Sequence, residues 1–128
     1  MSVYELTSKY VADGAIACRG GRIFVAFKRP GEQRNTLCEV RLSASGASLI
    51  PIGMTPGVYY KDGNCSLAFD DVSGELLLLN FCSPNASTGA DARPVLWKTG
   101  IVVAAASGTV DSVARQQIAD LKAKLRAV

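Results

Sequence analysis

The final segment of the chain, residues 109–128, carries the feature that most constrains how it can fold. Apolar side chains recur there at steps of four, four, three, four and three, which places them on one stripe of an α-helix. The stripe consists of Val110, Ala114, Ile118, Leu121, Leu125 and Val128. Thr109 follows Gly108 and can cap the helix, and Asp111 lies in its positive first turn. The sequence therefore predicts a C-terminal helix over 109–128.

This helix needs a partner for its apolar stripe, because it is only about 30 Å long and so short a helix is marginally stable alone in water. Two arrangements would cover the stripe: packing across the chain's own β-sheet, or self-association in a parallel bundle. From Ile118 onward the spacing is that of a coiled-coil seam, and Ile/Leu mixtures at its core positions are compatible with trimers. Both flanks of the stripe are polar, which favours the bundle. We therefore expect the stripe to be an oligomer interface.

The chain before the helix has the signals of β structure. Cys38, Val40 and Leu42 alternate with polar residues, the pattern of a half-buried strand. The pairs Gly20-Gly21 and Asp62-Gly63 predict the turns of two hairpins, the second joining 58–60 to 65–69. A leucine run in 75–81 predicts a central strand covered on both faces.

These signals predict one antiparallel β domain over residues 15–106, of sandwich or jelly-roll type. A faint echo between 16–40 and 67–97, at an offset of about fifty residues, also leaves a propeller-blade-like arrangement open. Pro51 limits its segment to a sheet edge or to the end of a strand. Residues 1–14, which end in the turn signal Asp13-Gly14, are predicted to form an N-terminal arm.

Composition excludes several classes of partner. With 128 residues, 48% of them hydrophobic and 20% charged, the chain fits one soluble globular domain. The net charge of +3 is spread among acids, so nucleic acid is not an expected partner. The longest small-apolar run, 100–106, is too short to cross a bilayer, and the first residues lack a signal-peptide pattern. We expect a protein made in the cytoplasm that does not enter a membrane.

Catalytic and metal-binding residues are scarce. The chain has no histidine, so neither a Ser-His nor a Cys-His pair can exist. The four cysteines, Cys18, Cys38, Cys65 and Cys82, form no C-x-x-C pair and lie in apolar stretches, which indicates reduced, buried side chains rather than a zinc site. Asp70, Asp71 and Glu75 could be a glycosidase pair or a calcium site, but are better explained as a solvated turn. We predict no catalytic residue, no metal and no cofactor.

Two long polar loops, 28–35 and 83–94, are the expected contact surfaces, because binding residues concentrate on loops carried by a rigid scaffold. Tyr59, Tyr60 and Trp97 could form a stacking platform for a sugar, although such residues also occur in cores and interfaces. The candidate partner-binding residues are Lys28, Arg29, Arg34, Asn85, Arg93, Tyr59, Tyr60 and Trp97. Tyr4, Leu6 and Tyr10 of the arm are the next candidates.

A compact β domain followed by a short oligomerising helix, without catalytic residues, resembles small bacteriophage virion proteins. These are head decoration (cement) proteins and short trimeric fibre or tail-attachment proteins. The resemblance covers the architecture and not any motif, and the chain departs from long fibres in having no repetitive shaft. It implies a homotrimer on the virion surface that binds a capsid or tail protein lattice, or a host glycan. The alternatives are a lectin-like, receptor-binding trimer and a cytosolic enzyme subunit with Asp70 or Cys65 in an active-site pocket.

Overall fold

A computed structural model describes residues 3–6, 12–32, 34–55, 58–59, 65–83, 92–105 and 110–126; at 12, 58–59 and 110–115 it describes the backbone only. The chain is mainly β, with two antiparallel sheets followed by a C-terminal helix, which confirms the predicted fold class.

The first sheet, sheet A, is a meander in which each strand pairs with the next in sequence. Its strands are β1 (Ala12–Arg19), β2 (Arg22–Lys28), β3 (Asn35–Ser43) and β4 (Gly46–Met54). Gly20 and Gly21 join β1 to β2 with φ values of 59° and 75°, the left-handed conformations that a tight hairpin turn requires. β4 is an edge strand, one of the two positions that Pro51 predicted.

The second sheet, sheet B, is three strands wide, with β7 in the centre as expected. Its strands are β5 (Val58–Tyr59), β6 (Ser66–Phe69), β7 (Glu75–Ser83) and β8 (Arg93–Val102). β8 pairs along one side of β7, while β6 and β5 pair one after the other along the opposite side.

The predicted hairpin between 58–60 and 65–69 is wrong at the level of pairing. β6 pairs with Leu76–Leu79, and β5 pairs with Cys82 and Ser83 at the far end of the same strand. The reason is length: β7 has nine residues and β6 has four, so β7 offers hydrogen-bonding groups beyond the end of β6. The turn signal Asp62-Gly63 lies outside the described residues.

The turn predicted at Asp13-Gly14 is instead a bulge inside β1. The strand begins at Ala12, and its register with β2 shifts between Ala12 and Ala15. Asp13 has a φ of 58°, a left-handed conformation that aspartate tolerates better than most residues. The left-handed conformation expected at Asp13-Gly14 is therefore present, but it forms a bulge within β1 and does not end an N-terminal arm.

The inner faces of the two sheets enclose one core. Phe24, Ala26 and Leu37 of sheet A meet Leu76 and Leu78 of sheet B. The ring of Phe24 meets that of Phe69 edge-on, with centroids 5.8 Å apart. Three consecutive strands form a meander in each sheet, β1-β2-β3 and then β6-β7-β8, and these two meanders correspond to the echo seen in the sequence.

The strand ends divide the β domain into two ends. At the loop end, defined here by 12–13, 28–32, 34–35, 54–55, 58–59, 82–83 and 92–93, Asn35 Oδ1 accepts a hydrogen bond from the side chain of Asn80 over 2.9 Å. At the helix end, defined by 19–22, 43–46, 70–75 and 100–105, Arg19 Nε donates to the carbonyl of Val103 over 2.7 Å. Strands of seven residues separate the two ends by roughly 20 Å. The two loops predicted as contact surfaces therefore leave the core on the side opposite the path to the helix.

Helix α1 spans Val110–Arg126, within the predicted 109–128. Among the described residues, none of its Cα atoms lies within 8 Å of a Cα atom in any strand. No helix in the described ranges combines the length and apolar character needed to cross a membrane.

Candidate functional site

The apolar stripe of α1 is uncovered in the single chain. Ile118, Leu121 and Leu125 are each more than half exposed, and every described side chain of the helix is exposed. Val110 and Ala114 lie in the helix with side chains outside the description, and Val128 lies beyond the described residues. Packing of the stripe across the chain's own sheet, one of the two expected arrangements, is therefore not what the described residues show. Covering a leucine or isoleucine releases about 1.5–3 kcal/mol, so the stripe favours association.

The chain leading from β8 toward α1 is held firmly at the helix end. Val103 donates its N–H to the carbonyl of Gly74 over 3.0 Å and accepts from Arg19. A Cβ on Gly74, which has a φ of 74°, would stand 2.6 Å from the Val103 carbonyl oxygen. A Cβ on Gly20 would collide with the carbonyl oxygen of Ala104. Because they lack a Cβ, Gly74 and Gly20 both leave room for the backbone of Val103 and Ala104. The turn signals in the sequence did not reveal this role.

The loop end gathers most of the predicted contact residues that the structure describes. Lys28 ends β2, and the Arg29 guanidinium lies 5.9 Å from the ring centroid of Phe27. Arg34 lies 3.5 Å from Glu32, and Arg93 begins β8. Within the described part of this end, these four cations stand against two acids, Asp13 and Glu32.

The remaining predicted contact residues are only partly visible. Tyr59 places its backbone in β5 at the loop end, beside Cys82, and its side chain is not described. Tyr60 and Asn85 lie outside the described residues. Leu6 of the predicted arm lines a cavity of about 250 Å³ with Ile16 and Val25 on the outer face of sheet A.

A buried polar cluster lies beneath the loop end. Asn35 and Asn80 have no exposed surface, and each sits on a different sheet. Asn80 Oδ1 accepts from Trp97 Nε1 at 2.8 Å and from the Cys82 thiol at 2.9 Å, while its amide donates to Asn35. Sequence analysis missed this cluster, although an asparagine directly after four leucines in a central strand is a signal for it.

Trp97 also lines a cleft of about 310 Å³ between the edge strands β4 and β8. Its other walls are largely apolar, with Leu37 and Leu78 from the core and Ile52 from β4. The Thr99 hydroxyl, also in the lining, donates to the carbonyl of Leu76 over 2.7 Å. Such a mostly apolar hollow with one aromatic ring suits a small ligand or a sugar ring.

Asp70 and Asp71 lie in a hydrogen-bonded turn, in agreement with the solvated turn favoured from the sequence. Asp70 accepts from the Ser73 hydroxyl at 2.8 Å and from the N–H of Val72 at 3.1 Å, and these bonds hold the pKa of Asp70 below its ordinary value. Asp71 is fully exposed, and Glu75 lies 3.6 Å from Lys98. Across the described residues, no three potential metal-binding side chains group together.

The four cysteines are free thiols, but they are not all buried. Cys65 lies in the core and donates to the carbonyl of Asp13 over 2.9 Å; its burial, with a contribution from the Asp13 charge, raises its pKa to about 11. Burial also raises the pKa of Cys38. The expectation of burial is wrong for Cys18, which is exposed because the alternation of edge strand β1 turns it away from the core.

Comparison with known proteins finds no matching family model, no similar curated sequence and no similar solved structure. Three surfaces of the chain are the candidate sites: the stripe of α1, the loop end and the cleft beside Trp97.

Proposed function

We propose that this protein is a non-enzymatic structural and binding protein that assembles as a homotrimer through α1 and attaches through its loop end to a larger protein lattice. This is the role of small virion surface components, whether capsid decoration or tail and fibre attachment. The observation that carries the proposal is the exposed apolar stripe of a helix that touches none of the strands among the described residues. A helix of this kind gains most of its stability from covering such a stripe.

The two ends of the β domain support the same function. A bundle formed by α1 begins from the helix end, so the loop ends of all copies stay uncovered and occur once per copy around the axis. Contacts that are weak in one copy gain strength when several engage a repeating partner together. The excess of cations at the described part of the loop end favours a partner surface that carries carboxylates.

The trimer is tested by the mass in solution of the wild type and of Leu121→Asp. An unpaired carboxylate in an apolar seam costs several kcal/mol in each chain, so the variant is expected to be a monomer by light scattering. Ala123→Asp is the matched control, because it places the same carboxylate two residues away, outside the stripe. A monomeric wild type, or a Leu121→Asp protein with the wild-type mass, would contradict assembly through α1.

Attachment is tested by replacing residues 85–92 with a Gly/Ser linker and, separately, by Arg93→Glu. Both variants are expected to keep the wild-type mass and to lose co-sedimentation with purified capsid or tail particles from the source of the sequence. Arg41→Glu is the control, since it reverses one exposed charge on β3, away from the loop end. Full attachment of both loop-end variants would move the contact to the N-terminal arm.

A second candidate, glycan binding, is favoured by the cleft that Trp97 lines. Trp97 is the only tryptophan, so its fluorescence reports directly on a sugar entering the cleft. Saturable quenching by an oligosaccharide would support this candidate, and an unchanged spectrum across a glycan panel would count against it. The enzyme alternative has no comparable support, because neither Asp70 nor Cys65 lines the cleft or the cavity beside Leu6.

A further inference from the structure

The outer face of sheet B carries an exposed apolar patch that no described segment covers. Its exposed members are Leu79, Phe81, Leu96 and Val102, with 39%, 44%, 59% and 63% of their surfaces accessible. Leu79 and Leu96 are register partners on adjacent strands, and Phe81 pairs with Pro94 in the same way, so the side chains lie together on one face. Contiguous apolar patches of this kind mark interaction surfaces. We call this patch the outer sheet-B face.

The pattern of β7 indicates that this face is covered in the assembled protein. Leu76 and Leu78 are buried in the core, whereas Leu79 and Phe81 point the other way into solvent. A central strand that is apolar on both faces is typical of sheets with both faces covered. The leucine run predicted a strand covered on both faces. In the single chain the inner face of β7 is covered and its outer face is exposed. Sheet A differs, since Leu6 lies against its outer face.

The connection to α1 is long enough for a second copy of the chain to cover this face. Val102 ends β8 on this face, and Val110 begins α1 eight residues later. Even at full extension, this connection spans no more than about 30 Å. The described start of the connection crosses the helix end toward Gly20, and its full length still allows the outer sheet-B faces of copies joined through α1 to meet.

The size of the α1 seam also requires a further contact. A stable protein interface buries about 800 Å² on each partner and involves roughly 20–30 residues a side. The apolar stripe has six positions, two of them separated from the coiled-coil seam that begins at Ile118. The β domain must supply the remaining area, and the outer sheet-B face reaches the connection through Val102, the last residue of β8.

The charges on this face permit contact between identical copies. Its described charged side chains are Lys98 and Glu75, and the ammonium lies 3.6 Å from the carboxylate. Because the two neutralise each other at the margin of the patch, two such faces approach without like-charge repulsion. A strongly acidic or basic partner would find no complementary charge here.

We propose that the outer sheet-B faces of the copies pack against one another around the axis of the α1 bundle. The proposal rests on the proposed homotrimer, and it adds that the β domain, and not the helix alone, holds the trimer together. Phe81, Leu79 and Leu96 form the centre of the contact, and the Lys98–Glu75 pair lies at its rim.

The test is Leu96→Lys in the full chain, with Ile16→Lys as the matched control. Ile16 is 63% exposed on the outer face of sheet A, so both variants place one lysine on an exposed apolar strand position. Sedimentation equilibrium is expected to show that the trimer of Leu96→Lys associates at least roughly tenfold more weakly than the wild type, since the loss of one well-packed interface side chain exceeds 1.4 kcal/mol. Ile16→Lys is expected to match the wild type.

Comparison with Leu121→Asp separates this proposal from the trimer itself. If Leu121→Asp dissociates and Leu96→Lys does not, the trimer stands and the outer sheet-B face has no part in it. If Leu96→Lys dissociates and Leu121→Asp does not, the face holds the oligomer without the helix, and assembly through α1 is wrong. A monomeric wild type refutes both.

Hydroxyl-radical footprinting of the wild type gives a second measurement that does not depend on a variant folding. Oxidation of Leu96 and Phe81 is expected to rise several-fold when the protein is diluted below its dissociation constant, while oxidation of Ile16 stays constant. Equal oxidation of Leu96 at both concentrations would overturn the proposal.

Discussion

The buried asparagine cluster allows a prediction in which two equal truncations have unequal effects. Asn80→Ala removes both the acceptor for the Trp97 indole and the donor to Asn35 Oδ1. A buried polar group left without a partner costs about 1–3 kcal/mol, so the orphaned indole and Asn35 Oδ1 together cost roughly 2–6 kcal/mol. The Cys82 thiol, the third partner of Asn80, is a weak donor and adds little. That loss is a large part of the stability of an ordinary domain, about 5–15 kcal/mol.

Asn35→Ala is expected to cost less, although it removes the same atoms from an equally buried position. It orphans the Asn80 amide, but it also removes Asn35 Nδ2, a buried donor that has no hydrogen-bond partner among the described residues. One penalty appears and one disappears, so the polar contributions nearly cancel. The cavity terms of the two truncations are similar, and the expected difference between the variants is about 2 kcal/mol or more.

Urea denaturation followed by circular dichroism measures both free energies of unfolding. All samples need the same protein concentration, because association couples stability to concentration. The double variant completes a cycle in which the coupling between the two side chains is read directly. An Asn35→Ala protein as destabilised as Asn80→Ala would refute the reasoning, since it would mean that the Asn35 amide is satisfied in solution.

Three further predictions concern turns, thiols and acid. Gly74→Ala is expected to lower the unfolding temperature well below that of Gly21→Ala, because both have left-handed φ but only Gly74 lies against a carbonyl oxygen; equal losses would contradict that contact. Ellman's reagent at mildly alkaline pH should titrate Cys18 at once and Cys65 only after denaturation, since Cys65 is buried with a pKa of about 11; rapid native reaction of Cys65 would be inconsistent with its position. Two hydrogen bonds of 2.9 Å from Arg22 hold the pKa of Glu39 below its ordinary value. The stability that they contribute is therefore present above the ordinary pKa of a glutamate and is lost as the pH falls through the lowered pKa. Glu39→Gln should therefore reduce the acid dependence of thermal unfolding, and an unchanged dependence would exclude this pair as a cause.

Local patterns by themselves determined the class of the fold, the helix and much of its β region. These patterns depend only on residues close together in sequence. They are the period of the stripe in 109–128, the glycine pair at 20–21 and the leucine run in 75–81. For the same reason, Pro51 by itself limited its segment to a sheet edge or a strand end, because the missing N–H is a property of the residue.

The tertiary structure decided what depends on partners distant in sequence. β5 pairs with β7 and not with β6, its neighbour in sequence. Its partners on β7 lie 23 or more residues away, so no local pattern predicts this pairing. The Asn35–Asn80 contact links residues 45 apart, and no periodicity predicts which buried amide will meet another. The division into a loop end and a helix end likewise follows from strand directions, which only the paired sheets fix. The sequence alone therefore determined the helix and most of the strands, whereas tertiary packing decided which of their apolar side chains are buried in the chain and which, like Leu96 and Leu121, remain exposed.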